Sequence, residues 1–261
     1  MLFGKKIVIT GVASGIGKRT AELAAQLGAD VIGIDLKKPD VTIGHFIEGD
    51  IGSAAGVAAI AAALPRGIDA LCNIAGISGK AGIVPTLAIN FYGLRELSYA
   101  VSAKIREGGS IVNVASIAGY GWRANLERAK KLVAVKGFPD VDAVLRAEGL
   151  HNEFGYPLSK ELLLLWNMQA AHEPVFKDRG IRVNAVSPGP VETPILTQFR
   201  EVLGNPRVDS DIERVGRAGT AEDIAPPVLF LCSDAARWIN GANIPCDGGL
   251  EASINAEVLG F

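Results

Sequence analysis

Short β-branched runs alternate with Ala- and Leu-rich stretches of helical length along most of the chain. "KIVIT" (6–10) precedes an apolar-periodic stretch from Ile16 to Leu27. "DVIGID" (30–35) follows Gly28, a residue suited to ending a helix. "GHFIEGD" (44–50) leads into a helix expected over 53–64, and "IDALCNIAG" (68–76) into a helix-like stretch over 86–106. "GSIVNVASIAG" (109–119), "IRVNAVSPG" (181–189) and "ANIPCDGG" (242–249) complete seven expected strands, with further helices expected at 155–173 and 221–233. Near-continuous apolar strands are those buried on both faces. Joined by helices, they predict an α/β fold: one doubly wound parallel β-sheet with helices on both sides. No internal repeat or linker interrupts the alternation, so a single domain over 1–261 is expected.

Two stretches break the rhythm. The first, 121–152, is rich in Arg, Lys, Ala and Val; the second, 190–216, follows an "SPGP" turn. Connections that long tend to be functional in compact domains. Both leave the carboxyl ends of strands, the edge where doubly wound sheets bind ligands. Within the first, "RANLERAKKLVAV" (123–135) places Leu126, Ala129, Leu132 and Val133 on one stripe, with Arg123–Glu127 and Glu127–Lys131 spaced for ion pairs. A helix is expected there, walling a substrate pocket.

Composition narrows the classes. Of 261 residues, 49% are apolar and 21% charged, with a net charge of −2, which gives no electrostatic case for nucleic acid or an anionic membrane as partner. No apolar run approaches the roughly 18 residues of a membrane span. "MLFGKKIVITG" reads as the first strand of a cytoplasmic protein. Cys72, Cys232, Cys246, His45, His151 and His172 are scattered without a C-x-x-C pair. Packing or surface roles are expected for them, and no metal site.

The candidate chemistry begins at "TGVASGIG" (10–17), between the first strand and first helix. Side chains at Gly11, Gly15 or Gly17 would obstruct the turn, the approach of a pyrophosphate to backbone amides, or helix–strand packing. The second strand ends at Asp35, whose carboxylate can accept from both ribose hydroxyls of an adenosine and would repel a 2′-phosphate. Ser14 and Leu36 supply no cation for such a phosphate, whereas Lys37 and Lys38 stand nearby. NAD is therefore the expected cofactor, with NADP left open by the two lysines.

"EFGYPLSK" (153–160) sets Tyr156 one helical turn before Lys160. Alone such a pair decides nothing. With the other motifs, the chain resembles the short-chain dehydrogenase/reductase family over nearly its whole length, which implies a Rossmann-type fold. T-G-x-x-x-G-x-G stands at Thr10–Gly17, the strand-ending acid at Asp50, N-x-A-G at Asn73–Gly76, the helix asparagine at Asn90 and the serine at Ser116. Y-x-x-x-K is Tyr156–Lys160, and P-G is Pro188–Gly189 with Thr193 beyond. The resemblance implies Asn90, Ser116, Tyr156 and Lys160 as catalytic residues. It implies cofactor contacts from Gly11, Ser14, Gly15, Ile16, Gly17, Asp35, Asp50, Ile51, Asn73, Ala75, Gly76, Tyr156, Lys160, Pro188, Gly189, Val191 and Thr193.

The implied reaction removes a hydroxyl proton while a hydride leaves carbon for the nicotinamide. A free tyrosine, with pKa about 10, is a poor base at neutral pH. A neighbouring ammonium and the positive nicotinamide should lower it. By resemblance, Ser116 fixes the substrate oxygen, Lys160 also holds the nicotinamide ribose, and Asn90 holds a water that links Lys160 to solvent. Two features depart from the common family pattern: Ser116 and Tyr156 are 40 positions apart, and Pro157 follows the tyrosine directly. Proline fits a first helical turn, so Tyr156 should open its helix.

"CNIAG", "GGSIVNV", "GPVETPIL" and "RWINGANIPCDGGL" look most like the bacterial coniferyl-alcohol dehydrogenases, which share the long 121–152 segment with 3α-hydroxysteroid dehydrogenase/carbonyl reductases. A pocket is expected from 77–85, 117–125 and 190–202, with Tyr120, Trp122, Ile195, Leu196 and Phe199 apolar or aromatic and no basic cluster. That favours a small-molecule partner, a bulky neutral alcohol or its carbonyl. The alternatives are a 3α-hydroxysteroid dehydrogenase/carbonyl reductase, and a catalytically idle dinucleotide-binding sensor or scaffold. The resemblance also implies a homodimer or homotetramer, paired through the exposed face of the Tyr156 helix.

Overall fold

The structure, a computed structural model, describes residues 2–150 and 154–260. The role expected of His151 and the last residues of the 121–152 segment lie outside the described residues. Seven parallel strands form one sheet in the order β3-β2-β1-β4-β5-β6-β7. They are β1 Lys6–Thr10, β2 Asp30–Asp35, β3 His45–Glu48, β4 Ile68–Asn73, β5 Ile105–Val114, β6 Arg182–Pro188 and β7 Asn243–Cys246. The chain runs outward from β1 to β3, then returns to add β4 on the other side. This reversal opens a crevice at the carboxyl ends of β1 and β4, where such folds bind ligands.

The helices are α1 Gly15–Gln26, α2 Ala54–Ala63, α3 Ile83–Leu87, α4 Leu94–Val101, α5 Leu126–Ala134 and α6 Val141–Ala147, then α7 Gly155–Ala170, α8 Pro174–Lys177, α9 Pro194–Leu203, α10 Asn205–Val215, α11 Ala221–Cys232 and α12 Leu250–Leu259. Strand side chains alternate between the sheet faces, and both faces are covered. Ile7 and Ile9 pack with Ala21, Ala24, Ile224 and Val228 of α1 and α11. Val8 packs on the other face with Ile60, Leu97 and Leu162 of α2, α4 and α7.

The helix expected over 86–106 is broken into four pieces. A π-turn over Ala88–Gly93 separates α3 from α4, a 3₁₀ turn follows at Ser102–Lys104, and β5 begins at Ile105, before the expected 109. The π-turn has a local cause. Asn90 Oδ1 accepts from Ile77 N at 2.8 Å while its amide donates to Ile77 O at 2.9 Å, pinning the helix to the loop after β4. Gly93 admits the Ile51 carbonyl, which a Cβ there would meet at 2.0 Å.

The helix expected over 123–135 forms as α5, and its stripe is buried at Ala129, Leu132 and Val133, with Leu126 packed alongside. Among the described residues, α5 lines neither of the cavities at the sheet's carboxyl edge; it packs against α4 and α7. Tyr92 Oη donates to Leu132 O at 3.1 Å, and Arg95 donates to Val133 O at 3.0 Å and Gly137 O at 2.7 Å. The phenol and the buried guanidinium thus satisfy two carbonyls in the last turn of α5, where the helix end carries partial negative charge, and the guanidinium also bonds one just beyond it. The expected ion pairs are replaced: Glu127 takes Lys130 at 2.8 Å, Lys131 reaches Glu148 at 3.2 Å, and Arg123 lies over the Trp122 ring at 4.4 Å.

Two buried clusters link distant parts of the sequence. Asn73 Nδ2 donates to Ser98 Oγ and to Asn113 Oδ1, both at 2.9 Å, and Asn113 passes a bond to Asn167 at 3.0 Å. This row ties β4, β5, α4 and α7 together. Cys72 and Cys232, far apart in sequence, meet with sulfurs 3.3 Å apart, and contact with Cys232 together with burial pushes the Cys72 thiol well above its ordinary value. Both side chains are buried in the core.

Candidate active site

The glycine-rich turn joins β1 to α1. Gly11 (φ 80°) and Gly15 (φ 56°) occupy the left-handed region that L side chains avoid. A Cβ on Gly17 would fall 2.1 Å from Gly11 O, and one on Gly11 would fall 2.9 Å from Ala75 Cα. The turn can close only without side chains. Ser14, at the N-cap of α1, makes no side-chain bond to the helix, whose first turn contains no acid. Its leading N–H groups therefore face the cleft free to bind an anion. Thr10 Oγ1 accepts from Ile74 N at 2.9 Å and Ala75 N at 3.0 Å, fixing the end of β4 beside the turn.

A cleft of about 340 Å³ runs along this turn, lined by Gly11, Ser14, Gly15, Ile16, Gly17, Asp35, Asp50, Ile51, Ala75, Gly76 and Thr193. Asp35 Oδ2 accepts from Ala13 N at 2.9 Å and Oδ1 from Lys37 N at 3.1 Å, so the carboxylate is held over the cleft with one lone pair spare on each oxygen. Asp50 Oδ1 accepts from Gly52 N at 2.7 Å, which fixes the loop after β3. A dinucleotide fits these residues: free helix N–H groups for pyrophosphate, a carboxylate for ribose hydroxyls, and no side chain to block either. Asn73 does not belong in this set. Its side chain is fully buried in the asparagine row beneath the sheet end, and the neighbours Ile74, Ala75 and Gly76 line the cleft instead.

A second cavity, about 560 Å³, shares Ile16, Ile74, Gly76, Thr193 and Ile195 with the first, so the two adjoin. Ser116, from the end of β5, and Tyr156 and Lys160, from the first turns of α7, line it together with Pro188, Gly189 and Val191. Tyr156 stands in the first turn, as Pro157 requires. Its surroundings leave the ring partly accessible yet desolvate the hydroxyl, and this pushes the phenol up to about 12, opposed by the Ser116 hydroxyl. Lys160 is buried and donates to Val114 O at 2.9 Å; burial pulls its ammonium down to about 8. Its Nζ lies 5.6 Å from the Tyr156 ring centroid. Within the protein alone the tyrosine pKa is therefore raised, because desolvation outweighs the Ser116 hydrogen bond; the lowering expected from the sequence also includes the charge of a bound nicotinamide.

Asn90 lines neither cavity. It stands behind Gly76, where a Cβ would meet Asn90 Oδ1 at 3.2 Å and Lys160 Nζ at 3.9 Å. Its amide donates to Ile77 O and, at 3.2 Å, to Ser159 Oγ, leaving one Oδ1 lone pair for a water.

The rest of the wall differs from expectation in three ways. Trp122 does not line this cavity; it lines an adjoining space of about 240 Å³ that shares Ser116 and Tyr120 with it. Residues 78–85 are also outside it; Ser78 is tied to Gln198 at 2.7 Å and Lys80 to Glu201 at 2.6 Å, which clasps that loop to α9. The third difference is a set of residues that sequence reasoning missed: Phe154, Leu203, Arg207, Val208, Asp211, Leu250 and Ile254. Signals existed, since Pro194 and Pro206 sit where helices start and Gly204 (φ 83°) where one ends.

Two family models match the chain: short chain dehydrogenase over residues 5–127 and enoyl-(acyl carrier protein) reductase over 143–251. Coniferyl-alcohol dehydrogenase of Pseudomonas sp. (strain HR199 / DSM 7063) is 42% identical, covering 97% of this chain and 98% of that one. The chain belongs to the short-chain dehydrogenase/reductase family. The 3-alpha-hydroxysteroid dehydrogenase/carbonyl reductase of Comamonas testosteroni is 28% identical over 94% of this chain and 96% of its own. Among solved structures, 3-alpha-hydroxysteroid dehydrogenase from Pseudomonas sp. B-0831 complexed with NADH aligns with a TM-score of 0.80 at 29% identity, covering 97% and 99% of the two chains. The protein is accordingly an oxidoreductase of this family. No helix among the described residues is long and apolar enough to cross a membrane.

Proposed function

We propose that this oxidoreductase uses NAD to interconvert a bulky neutral aryl or allylic alcohol, of the coniferyl-alcohol kind, with its carbonyl. The observation that carries the reading is the meeting of Ser116, Tyr156 and Lys160 in the lining of a largely apolar cavity that adjoins the dinucleotide cleft. The similarity to coniferyl-alcohol dehydrogenase supports the substrate class. Bound NAD⁺ supplies a hydride acceptor and a positively charged ring.

The chain's own residues move the proton. Tyr156 Oη takes the substrate's hydroxyl proton in oxidation and returns it in reduction. Ser116 Oγ, in contact with the phenol, holds the substrate oxygen at Tyr156. Lys160 brings positive charge that favours phenolate, held on the Val114 carbonyl. Asn90 acts through others as a positioning residue, locking Ile77 and Ser159 around the lysine. The test is NAD⁺ reduction across cinnamyl-type, benzylic, steroid and alicyclic alcohols. Highest kcat/KM on cinnamyl-type alcohols is expected. A steroid optimum would favour the second reading, a 3α-hydroxysteroid dehydrogenase/carbonyl reductase, which the NADH-bound neighbour supports. Cofactor binding without turnover of any alcohol would favour an idle sensor.

The choice of NAD rests on Asp35. Asp35→Ser is expected to raise the NADP⁺ to NAD⁺ ratio of kcat/KM about tenfold or more, because a carboxylate beside a 2′-phosphate costs several kcal/mol. A wild-type enzyme that already prefers NADP⁺ would overturn the assignment and shift attention to Lys37 and Lys38.

For assembly, we infer a homodimer rather than a tetramer. The outer face of α7 is covered by α5 within the same chain, so a partner cannot pair there. Sedimentation velocity should show twice the 27.3 kDa chain mass; a tetramer would contradict this.

A further inference from the structure

The wall of the substrate cavity carries an ion pair that the chemistry above leaves idle. Phe199 meets the Tyr156 ring edge-on at 4.5 Å between centroids. From there the lining continues through Leu203, Arg207 and Asp211 at four-residue intervals, crossing from α9 to α10. Arg207 Nη1 lies 3.3 Å from Asp211 Oδ1, with the Asp211 side chain only 20% exposed. Other polar groups on the wall are spent: Tyr120 Oη donates to Asn255 Oδ1, Thr193 Oγ1 to Val191 O, and Lys160 to Val114 O. Among the described residues, no hydrogen-bond donor sits on the Asp211 carboxylate, and its one ionic partner is Arg207.

A partly solvated carboxylate with spare lone pairs, facing an apolar space, is placed to receive a donor that enters that space. An ionised carboxylate is acceptor-only, so the group it would recognise must donate. The geometry points to Asp211 as the residue that reads a phenolic hydroxyl on the aromatic end of the substrate, away from the reacting carbinol, with Arg207 beside it. This rests on the reading that the cavity takes an aryl alcohol. It makes the site selective for 4-hydroxyaryl alcohols over analogues that lack the hydroxyl or carry it as a methyl ether. It also disfavours substrates with a carboxylate at that end, which would meet Asp211 as a like charge.

The test compares kcat/KM, with NAD⁺, for 4-hydroxycinnamyl, 4-methoxycinnamyl and cinnamyl alcohol in wild type, Asp211→Asn and Asp211→Leu. A site built to bond a hydroxyl rejects the analogue lacking it; for this partly solvated carboxylate a preference of about ten- to a hundredfold is expected, carried mainly by KM. Asp211→Leu should bring the three alcohols within about threefold of one another, and Asp211→Asn, whose amide oxygen still accepts, should retain part of the preference. Equal wild-type rates on the three alcohols would overturn the inference and leave the aryl-alcohol reading standing. A preference that survives Asp211→Leu would overturn it too. If every aryl alcohol failed while a steroid or alicyclic alcohol reduced NAD⁺, the aryl reading would fall and this inference with it. Should the leucine variant not fold, the near-isosteric Asp211→Asn decides: an unchanged ratio counts against Asp211.

Discussion

Tyr156→Phe is expected to lower kcat/KM for alcohol oxidation about a thousandfold while leaving the Kd for NAD⁺ nearly unchanged. The substitution deletes one oxygen and keeps the ring. Phe199 packs edge-on against that ring, and Phe154 lies 6.5 Å away between centroids, so the cavity wall keeps its shape. Ser116 and Lys160 stay on their own anchors, the Ala118 amide at 3.1 Å and the Val114 carbonyl at 2.9 Å. What disappears is the wall oxygen that contacts Ser116 and exchanges a proton with substrate. The wild-type pH profile follows from the same group. Burial holds the phenol near 12, so the deprotonated base is scarce at neutral pH. Oxidation should therefore speed up as pH rises towards the operating pKa. Reduction needs the proton in place and should slow above that pKa. Stopped-flow or steady-state rates in both directions, with NAD⁺ affinity measured by calorimetry, check both parts. A variant within tenfold of wild type would remove Tyr156 from the chemistry.

The parts of this site legible in the sequence are those whose constraint is local. Gly11, Gly15 and Gly17 announce themselves because the turn tolerates no Cβ, and the strand that ends at Asp35 is set by its own apolar run. Tyr156 at the start of α7 follows from Pro157 alone. Tertiary constraint is harder to read. Asn73 belongs to a motif beside the cleft, yet its amide turns under the sheet to Ser98 and Asn113, partners 25 and 40 positions away. The Tyr156 phenol is governed by desolvation, which no spacing reveals. The helices α9, α10 and α12 bury few side chains; α9 and α10 are amphipathic, but their apolar faces line the cavity instead of the core, and α12 has little apolar periodicity. Of these, α10 supplies the part of the wall that includes Arg207 and Asp211.

The segment 123–150 teaches the same lesson with a larger expected effect. Its amphipathic stripe was readable, but the surface it covers was not. Replacing it with a short Gly-Ser connection is expected to abolish cooperative folding rather than retune substrate choice. The replacement removes Leu132, Val133, Val141, Leu145 and Leu150 from the main core, five side chains worth roughly 1.5–3 kcal/mol each. Their sum rivals the roughly 5–15 kcal/mol that holds a typical domain together. It also strips the carbonyl acceptors from Tyr92 and Arg95, leaving a buried guanidinium with only Glu96 at 2.9 Å. Removing partners from a buried charge costs several kcal/mol more. Leu132→Ala is the graded version of the test, since α5 lies outside the substrate cavity. It should cost about 3 kcal/mol, or about 10 °C in Tm, with relative kcat/KM across the alcohol panel unchanged. If Leu132→Ala instead shifted alcohol preference at full stability, or the excised enzyme folded cooperatively, the segment would be part of the substrate wall after all.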